Sequence, residues 1–475
     1  MVVRPKAAAQ DYSSVEATPV KAFFTEMLTR DISLHDAMLD LLDNCVDGIL
    51  RSRGKADGKQ PYEGYWAEIN FSEDGFCIRD NCGGIPWELS DYAFRMGRPE
   101  DKRVSNLPMV GTYGIGLKRA VFKIGRRCAV WTQCGEHNYV VEITPGWLKN
   151  DTDWRIPVVA ARQRMKEDGT EISVGELRDG IREQFGQDRM GFEEEFRKRV
   201  ASHYAFIVAK GFRVSVNGHE VPGRPTKLVF ADPKQGERTV RPFIYEADVE
   251  GVNVFLAVGL TMGIPSVEDV QNEQNEPTYS SLDAGWTVVC NDRAVLYCDR
   301  TQLTGWGDGD VPQYHTQFIA ISGIVEFRSS DARKLPTTTT KRGIDASSPL
   351  FLRVKNKMRE GMKLFTDYTN WWKKRTDEAK EHIRDRPTLT IEEIRKQAGR
   401  LSFHETKVGA GGNQKQYKPK LPKPKKADSG LAVIRFTKPV GEVRVVASYL
   451  FSEPEVKPSV VGERCFDEIR GEASK

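Results

Sequence analysis

The sequence predicts an α+β chain: two successive α/β domains, then C-terminal helices and a small C-terminal module. Three observations predict it. From residue 31 to about 180, helical and strand patterns alternate, as in an α/β sandwich. Between 190 and 348 two hairpin signals appear, "FRVSVNGHEV" around Asn217-Gly218 and "WTVVCNDRAVLYC" around Asn291-Asp292. After residue 349, Phe351, Met358, Phe365 and Trp372 recur every seven residues, flanked by Val354 and Tyr368. At 475 residues the chain is too long for one core and long enough for two or three domains.

In chain order, residues 1–30 read as an arm ending in a short helix, "VKAFFTEML". Residues 31–185 form the first domain, 190–348 the second and 349–400 a helical segment. The stripe on that segment either faces a core or forms a dimer seam. Residues 401–428 read as a Lys/Pro/Gly linker, with seven lysines and one acid between 406 and 428. Those lysines either solvate a tether or touch a phosphate backbone. Residues 429–475 hold a strand ("LAVIRF"), an alternating or amphipathic run ("EVRVVASYLF") and a helix ("VVGERCFDEI").

Composition excludes several classes. A net charge of +4 does not by itself argue for nucleic-acid binding. Eight scattered cysteines with no CxxC pair disfavour a zinc site or disulfide framework and point to a reducing cytoplasm. The N-terminus lacks an apolar core, and no run reaches 18 apolar residues, so neither export nor a membrane span is expected. No HExxH, nucleophile elbow or nuclease-like carboxylate cluster stands out.

The chemistry begins at "GTYGIGLKRA", residues 111–120. A P-loop fails because Leu117 precedes Lys118 and no Ser or Thr follows; a Rossmann turn fails because Arg119 stands at the third glycine. What remains is G-x-x-G-x-G-L-K opening an apolar helix. Gly111, Gly114 and Gly116 would let backbone amides approach phosphate oxygens, with Lys118 and the helix N-terminus adding positive charge. A purely structural glycine turn is the other reading.

In "SLHDAMLDLLDNCVDGIL", residues 33–50, Ser33 and Asp36 make a capping pair, and the apolar residues fall at helical spacing. The other face aligns Asp36, Asp40, Asn44 and Asp47. Asp36–Asp40 and Asp43–Asp47 are like charges at i,i+4, which weaken a helix by a few tenths of a kcal/mol per pair. Either the face is simply solvated, or a cation relieves the repulsion; carboxylates with an amide oxygen suit Mg²⁺. In "FCIRDNCGGIP" a strand ends at Asp80 and Gly83-Gly84 turns the chain. Such a carboxylate can accept from an exocyclic amine such as that of adenine. In "EDGTEISVGEL" Gly169-Thr170 opens a strand that would bring a hydroxyl beside Asp80.

With these four motifs in this order, the chain resembles the ATPase superfamily of gyrase, the ninety-kilodalton heat-shock chaperone, histidine kinases and MutL (GHKL). The glycine loop looks most like the microrchidia (MORC) ATPases and their bacterial relatives. The resemblance covers about 140 residues and implies a Bergerat-fold α/β sandwich over 31–185, followed by a transducer-like α/β domain over 190–348. It implies ATP and Mg²⁺ as ligands. Asn44 would hold Mg²⁺ and phosphate oxygens, with Asp47 counted among the nucleotide-binding residues. Asp80 would read the adenine amine, Thr170 would help through water, and Gly84 would let adenine pack. Gly111, Gly114, Gly116 and Lys118 would grip phosphate, and residues 87–110 would be the ATP lid. In the second domain "LPTTTTKRGID", 335–345, resembles the sensor loop that contacts the terminal phosphate, with Lys341 as its lysine; a threonine-rich surface loop is the alternative.

Two departures stand out. Cys82 replaces the first glycine of the D-x-G-x-G turn, and Asp40 stands where most hydrolysing relatives carry Glu as the base. Asp is shorter by one carbon, roughly 1.5 Å of reach, so slow hydrolysis is expected; the alternative is that Asp40 supports the Mg²⁺ ligands from behind and is not the base. The implied function is an ATPase working as a nucleotide-dependent homodimeric clamp with DNA as a possible client and no membrane partner. The competing readings are a chaperone-like remodeler and a switch that binds ATP without hydrolysing it.

Overall fold

The computed structural model describes residues 20–53, 60–95, 115–236, 239–275, 284–338, 343–408, 412–424 and 434–474. The chain divides into two compact units, Met1–Lys423 and Pro424–Lys475.

The first sheet of the larger unit contains eight strands: β1 (Trp66–Ser72), β2 (Gly75–Asp80), β3 (Gly125–Cys134), β4 (His137–Ile143), β5 (Val158–Ala160), β6 (Gly169–Leu177), β7 (Arg213–Val216) and β8 (His219–Glu220). Their order is β5-β4-β3-β6-β2-β1-β7-β8. Alternating apolar residues bury one side of the central strands, as period 2 requires. Ile69, Phe71, Ile78, Val130 and Val174 share a core with helices Leu34–Arg53, Gly116–Ile124 and Arg189–His203. Phe71 stacks on Phe185 at 4.6 Å and meets Phe192 edge-on at 5.5 Å.

The Asn217-Gly218 hairpin forms, with φ of 47° and 81° at the two turn residues. It joins the first sheet rather than the second, because β7 pairs in parallel with β1. Helix Arg189–His203 buries Phe192, Phe196 and Val200 in the same core. The first domain therefore runs past the expected boundary near 185–190. Local turn chemistry forms a hairpin but does not select the sheet edge that receives it.

The second sheet contains β10 (Phe243–Val249), β11 (Val252–Leu260), β12 (Gly285–Cys290), β13 (Arg293–Asp299), β14 (Ile321–Arg328), β16 (His404–Val408) and β17 (Gly412–Tyr417). Its order is β13-β12-β14-β11-β10-β17-β16. Asn291 and Asp292 turn between β12 and β13 with φ of 48° and 66°. Helix Pro349–Trp372 lies on this sheet. Its stripe of Phe351, Val354, Met358, Phe365, Tyr368 and Trp372 is at most 3% exposed and belongs to the chain's own core. The dimer-seam alternative for that stripe is thereby removed.

The helical segment 349–400 is interrupted: it breaks after Trp372, resumes at Thr376–Glu381, forms strand β15 (Thr388–Leu389), which pairs with β9 (Leu228–Val229), and ends in helix Ile391–Ala398. Pro387 bars helical continuation, and Thr390 with Glu393 caps the final helix. The stretch 401–428 is not a linker as far as Lys423. Strands β16 and β17 pair with each other, and β17 completes the open edge of β10. Tyr245 donates to Gln414 Oε1 at 3.1 Å, and Lys415 pairs with Glu246 at 2.8 Å. The backbone of a sheet edge recruited a stretch whose composition reads as a tether.

In the smaller unit, helices Val440–Phe451 and Pro458–Ala473 bury Ala447 and Val461. The alternating run thus forms helix. The described part of the expected strand, 434–436, is irregular. Residues 425–433, from the expected linker and strand, lie outside the described residues. No helix among the described residues is long and apolar enough to cross a membrane.

Candidate functional site

Strand β2 ends at Asp80, which stands directly opposite Thr170 on β6; Thr170 stands opposite Thr132 on β3. Cross-strand partners share one face of a sheet, so the three polar side chains form one row. The Thr132 and Thr170 hydroxyls are 3.2 Å apart. One Asp80 oxygen accepts the Cys82 N–H at 2.8 Å and the other accepts the Cys45 thiol at 3.4 Å. Burial pushes the Asp80 carboxyl pKa up, and these hydrogen bonds oppose it. Asp80 is thus a desolvated acceptor suited to an N–H donor.

The turn after Asp80 is built by close backbone crossings. Gly84 has φ of 63°, and a Cβ there would stand 1.9 Å from the Gln133 carbonyl oxygen. A Cβ on Gly169 would stand 2.0 Å from the Asp80 carbonyl oxygen, so no larger residue can precede Thr170. Arg51 donates to the Gly84 carbonyl at 2.5 Å, and the Ile85 N–H donates to Thr132 Oγ1 at 2.8 Å. Cys82 keeps a negative φ while Gly83 and Gly84 are left-handed, so a side chain is tolerated at its position. Burial pushes its thiol up to about 11, keeping it neutral beside the carboxyl group.

Helix Leu34–Arg53 starts where expected, with the Asp36 N–H donating to Ser33 Oγ at 3.1 Å. Its acids are not a solvated face. Asp40, Asp43 and Asp47 are buried, whereas Asn44 is exposed. Arginines offset two of these charges. Arg119 pairs with Asp40 at 2.5 Å. Arg293, from β13 of the second domain, pairs with Asp43 at 2.8 Å, both side chains being fully buried. Tyr204 donates its hydroxyl to Asp43 and lies 4.3 Å beneath the Arg293 guanidinium. Protein cations thus meet the charges of Asp40 and Asp43.

Helix Gly116–Ile124 begins against that acid helix: a Cβ on Gly116 would be 3.5 Å from Asp40 Oδ2. Lys118 is 2% exposed, and its ammonium donates to the Ala93 carbonyl at 2.7 Å. That carbonyl belongs to the short helix Ser90–Phe94, at the start of the expected lid. Lys118 thus ties its helix to Ser90–Phe94, while Arg119 faces Asp40.

The acid helix joins the two halves of the constellation: Cys45 touches Asp80 and Asp40 touches Arg119. Asp40, Asn44, Asp47, Asp80, Gly84, Gly116, Lys118 and Thr170 all lie on these elements. Gly111, Gly114 and Lys341 lie outside the described residues, as does most of the expected lid. Thr132, Arg51, Arg119 and Arg293 were not singled out from sequence. Arg119 had a signal, since it falls three residues after Gly116 on the same helix face. Thr132 needed the strand register, and Arg293 needed the domain packing.

Residues 32–172 match the model of the family described as histidine kinase-, DNA gyrase B-, and HSP90-like ATPase. The match covers less than a third of the chain and contains the acid helix, Asp80, the glycine-loop helix and Thr170. It supports the GHKL superfamily for the first domain. No curated protein matches the chain.

Proposed function

We propose that this chain is a GHKL-type protein that binds ATP in the first domain, hydrolyses it slowly and uses it to gate a homodimeric clamp on DNA. The observation that carries the reading is the row Asp80–Thr170–Thr132 behind the Gly84 crossing, joined through one helix to Asp40 and the N-terminus of Gly116–Ile124. Asp80 accepts the adenine amine, with Thr170 beside it. The phosphates lie toward Asn44 and the glycine loop, whose helix N-terminus favours anions. Asp40 acts as the base that takes a proton from the attacking water.

Mg²⁺ fits the donors here, because Asn44 presents an amide oxygen at an exposed position on the helix that carries Asp40 and Asp47. When bound, it neutralises phosphate charge. Lys341 reports the terminal phosphate to the second domain through one charge-assisted contact. The dimer and its DNA client come from the resemblance to MutL and MORC proteins.

Steady-state phosphate release with Mg-ATP tests the reading in wild type, Asp40→Asn and Asp80→Ala, with and without double-stranded DNA. Turnover is expected to vanish in both variants, with ATP binding kept in Asp40→Asn and lost in Asp80→Ala, and DNA is expected to stimulate wild type. Wild-type turnover that survives Asp40→Asn overturns the assignment of the base. A second reading, a switch that binds ATP without hydrolysis, is favoured by the Asp40–Arg119 contact; its signature is ATP binding with no phosphate release in wild type.

A further inference from the structure

Asp40 and Arg119 form a contact that the proposed reaction must break or use. The carboxylate is 2% exposed, the guanidinium side chain 11%, and they meet at 2.5 Å. Asp40 Oδ2 also lies against Gly116, the first residue of the nine-residue helix that carries Arg119. A negative group therefore rests at a helix N-terminus beside an arginine, the combination that ordinarily receives a phosphate. The neighbouring Lys118 donates to the Ala93 carbonyl at 2.7 Å. Arg119 Nε is buried without a hydrogen-bond partner, so the guanidinium has donor capacity left.

We infer that Arg119 is a shared cation: before nucleotide binds it holds Asp40, and when ATP binds it passes to a phosphate oxygen, releasing the Asp40 carboxylate toward water. This rests on the ATP-site reading above. Arg119 is then a positioning residue for Asp40 and a ligand of the phosphate. The physical basis is competition. A terminal phosphate carries more negative charge than one carboxylate and offers a fork-matched pair of oxygens, so it outcompetes Asp40 for the guanidinium. The contact also sets a cost on ATP binding, since the Asp40–Arg119 pair must part each time.

That cost yields a test with a sign opposite to ordinary loss of a site residue. ATP affinity is measured by calorimetry for wild type, Asp40→Asn, Arg119→Gln and the double variant, with Asp80→Ala as the control for the site itself. Asp40→Asn is expected to tighten ATP binding about fivefold or more in the wild-type background, a typical size for coupled sites. In the Arg119→Gln background the same change is expected to shift affinity less than about twofold, because nothing is left to compete for. Simple repulsion between Asp40 and phosphate gives the reverse pattern: an effect that persists or grows without Arg119. That pattern, or weakened binding in Asp40→Asn, overturns the inference while leaving the ATP site standing. Wild type without measurable ATP binding overturns the ATP-site reading and the inference with it. Should Arg119→Gln fail to fold, Arg119→Lys carries the test: it keeps the charge without the fork, and the Asp40→Asn effect should fall below its wild-type value. An undiminished effect in Arg119→Lys counts against the inference.

Discussion

Cutting the Asp43–Arg293 pair should cost more stability than removing any surface ion pair in this chain. Both side chains are fully buried, and Arg293 comes from a different domain than Asp43. The guanidinium donates through Nε to Asp43 at 2.8 Å and through Nη1 to the Ala294 and His203 carbonyls at 2.9 and 3.2 Å. Its Nη2 is buried without a partner. Asp43→Asn leaves that cation without its countercharge, a loss of about 3–5 kcal/mol for a buried pair. The Tyr204 hydroxyl can then turn its single proton to the Leu39 carbonyl, 2.9 Å away, so its share of the loss is on the order of 1 kcal/mol or less. The control is Arg199–Glu195, a 2.7 Å pair whose side chains are 39% and 54% exposed; breaking it should cost about 0–1 kcal/mol. The assay is urea unfolding followed by tryptophan fluorescence. Asp43→Asn should lower the midpoint strongly and separate the transitions of the two domains, because their shared charge is gone. The double change Asp43→Leu with Arg293→Met should recover most of the loss, since it removes both charges rather than one. An Asp43→Asn variant within about 1 kcal/mol of wild type, or a double variant no better than the single, would refute the reasoning.

Further outcomes follow from the nucleotide pocket. Gly84→Ala places a methyl 1.9 Å from the Gln133 carbonyl at a φ of 63°, so ATP binding should be lost and the melting temperature should fall measurably. Thr132→Val removes the acceptor of the Ile85 N–H and the partner of Thr170; about 1–3 kcal/mol of stability should go with it, read by urea unfolding. Asp80 has a folded pKa raised by burial above 3.8, so its own contribution to stability is present below that value and is lost as pH rises through the folded pKa. Nucleotide binding runs the other way, because the ionised form is the stronger acceptor for the amine. ATP affinity should therefore weaken on acidification while the pH is still above 3.8, and this step should be absent in Asp80→Asn.

Parts of this arrangement were legible because they are local. Asp80 ends a strand because alternation stops at the Gly83-Gly84 turn, and Thr170 opens one because Gly169 marks its start. Both hairpins form from their Asn-Gly and Asn-Asp turns, whose residues accept left-handed φ. The acid helix follows from its apolar spacing and Ser33 cap. Other parts misled for an equally local reason. Lysine and glycine content made 412–417 look like a tether, yet the strand exists because β10 had an edge to fill. The seven-residue stripe after 349 is compatible with a seam or a core, and only the sheet beneath it selects the core.

The sequence alone determined the order of the chemistry: an acid helix, an Asp at a strand end, a glycine loop before a helix, and a Gly-Thr opening. Spacing and backbone conformational preference are properties of short segments, so they survive without the fold. Tertiary structure decided the partners. It set Arg119 against Asp40, drew Arg293 across from the second domain onto Asp43, and placed Thr132 in register with Thr170. Which cation meets which buried acid depends on the packing of elements up to 250 residues apart, because desolvated charges require a counterpart wherever the fold supplies one.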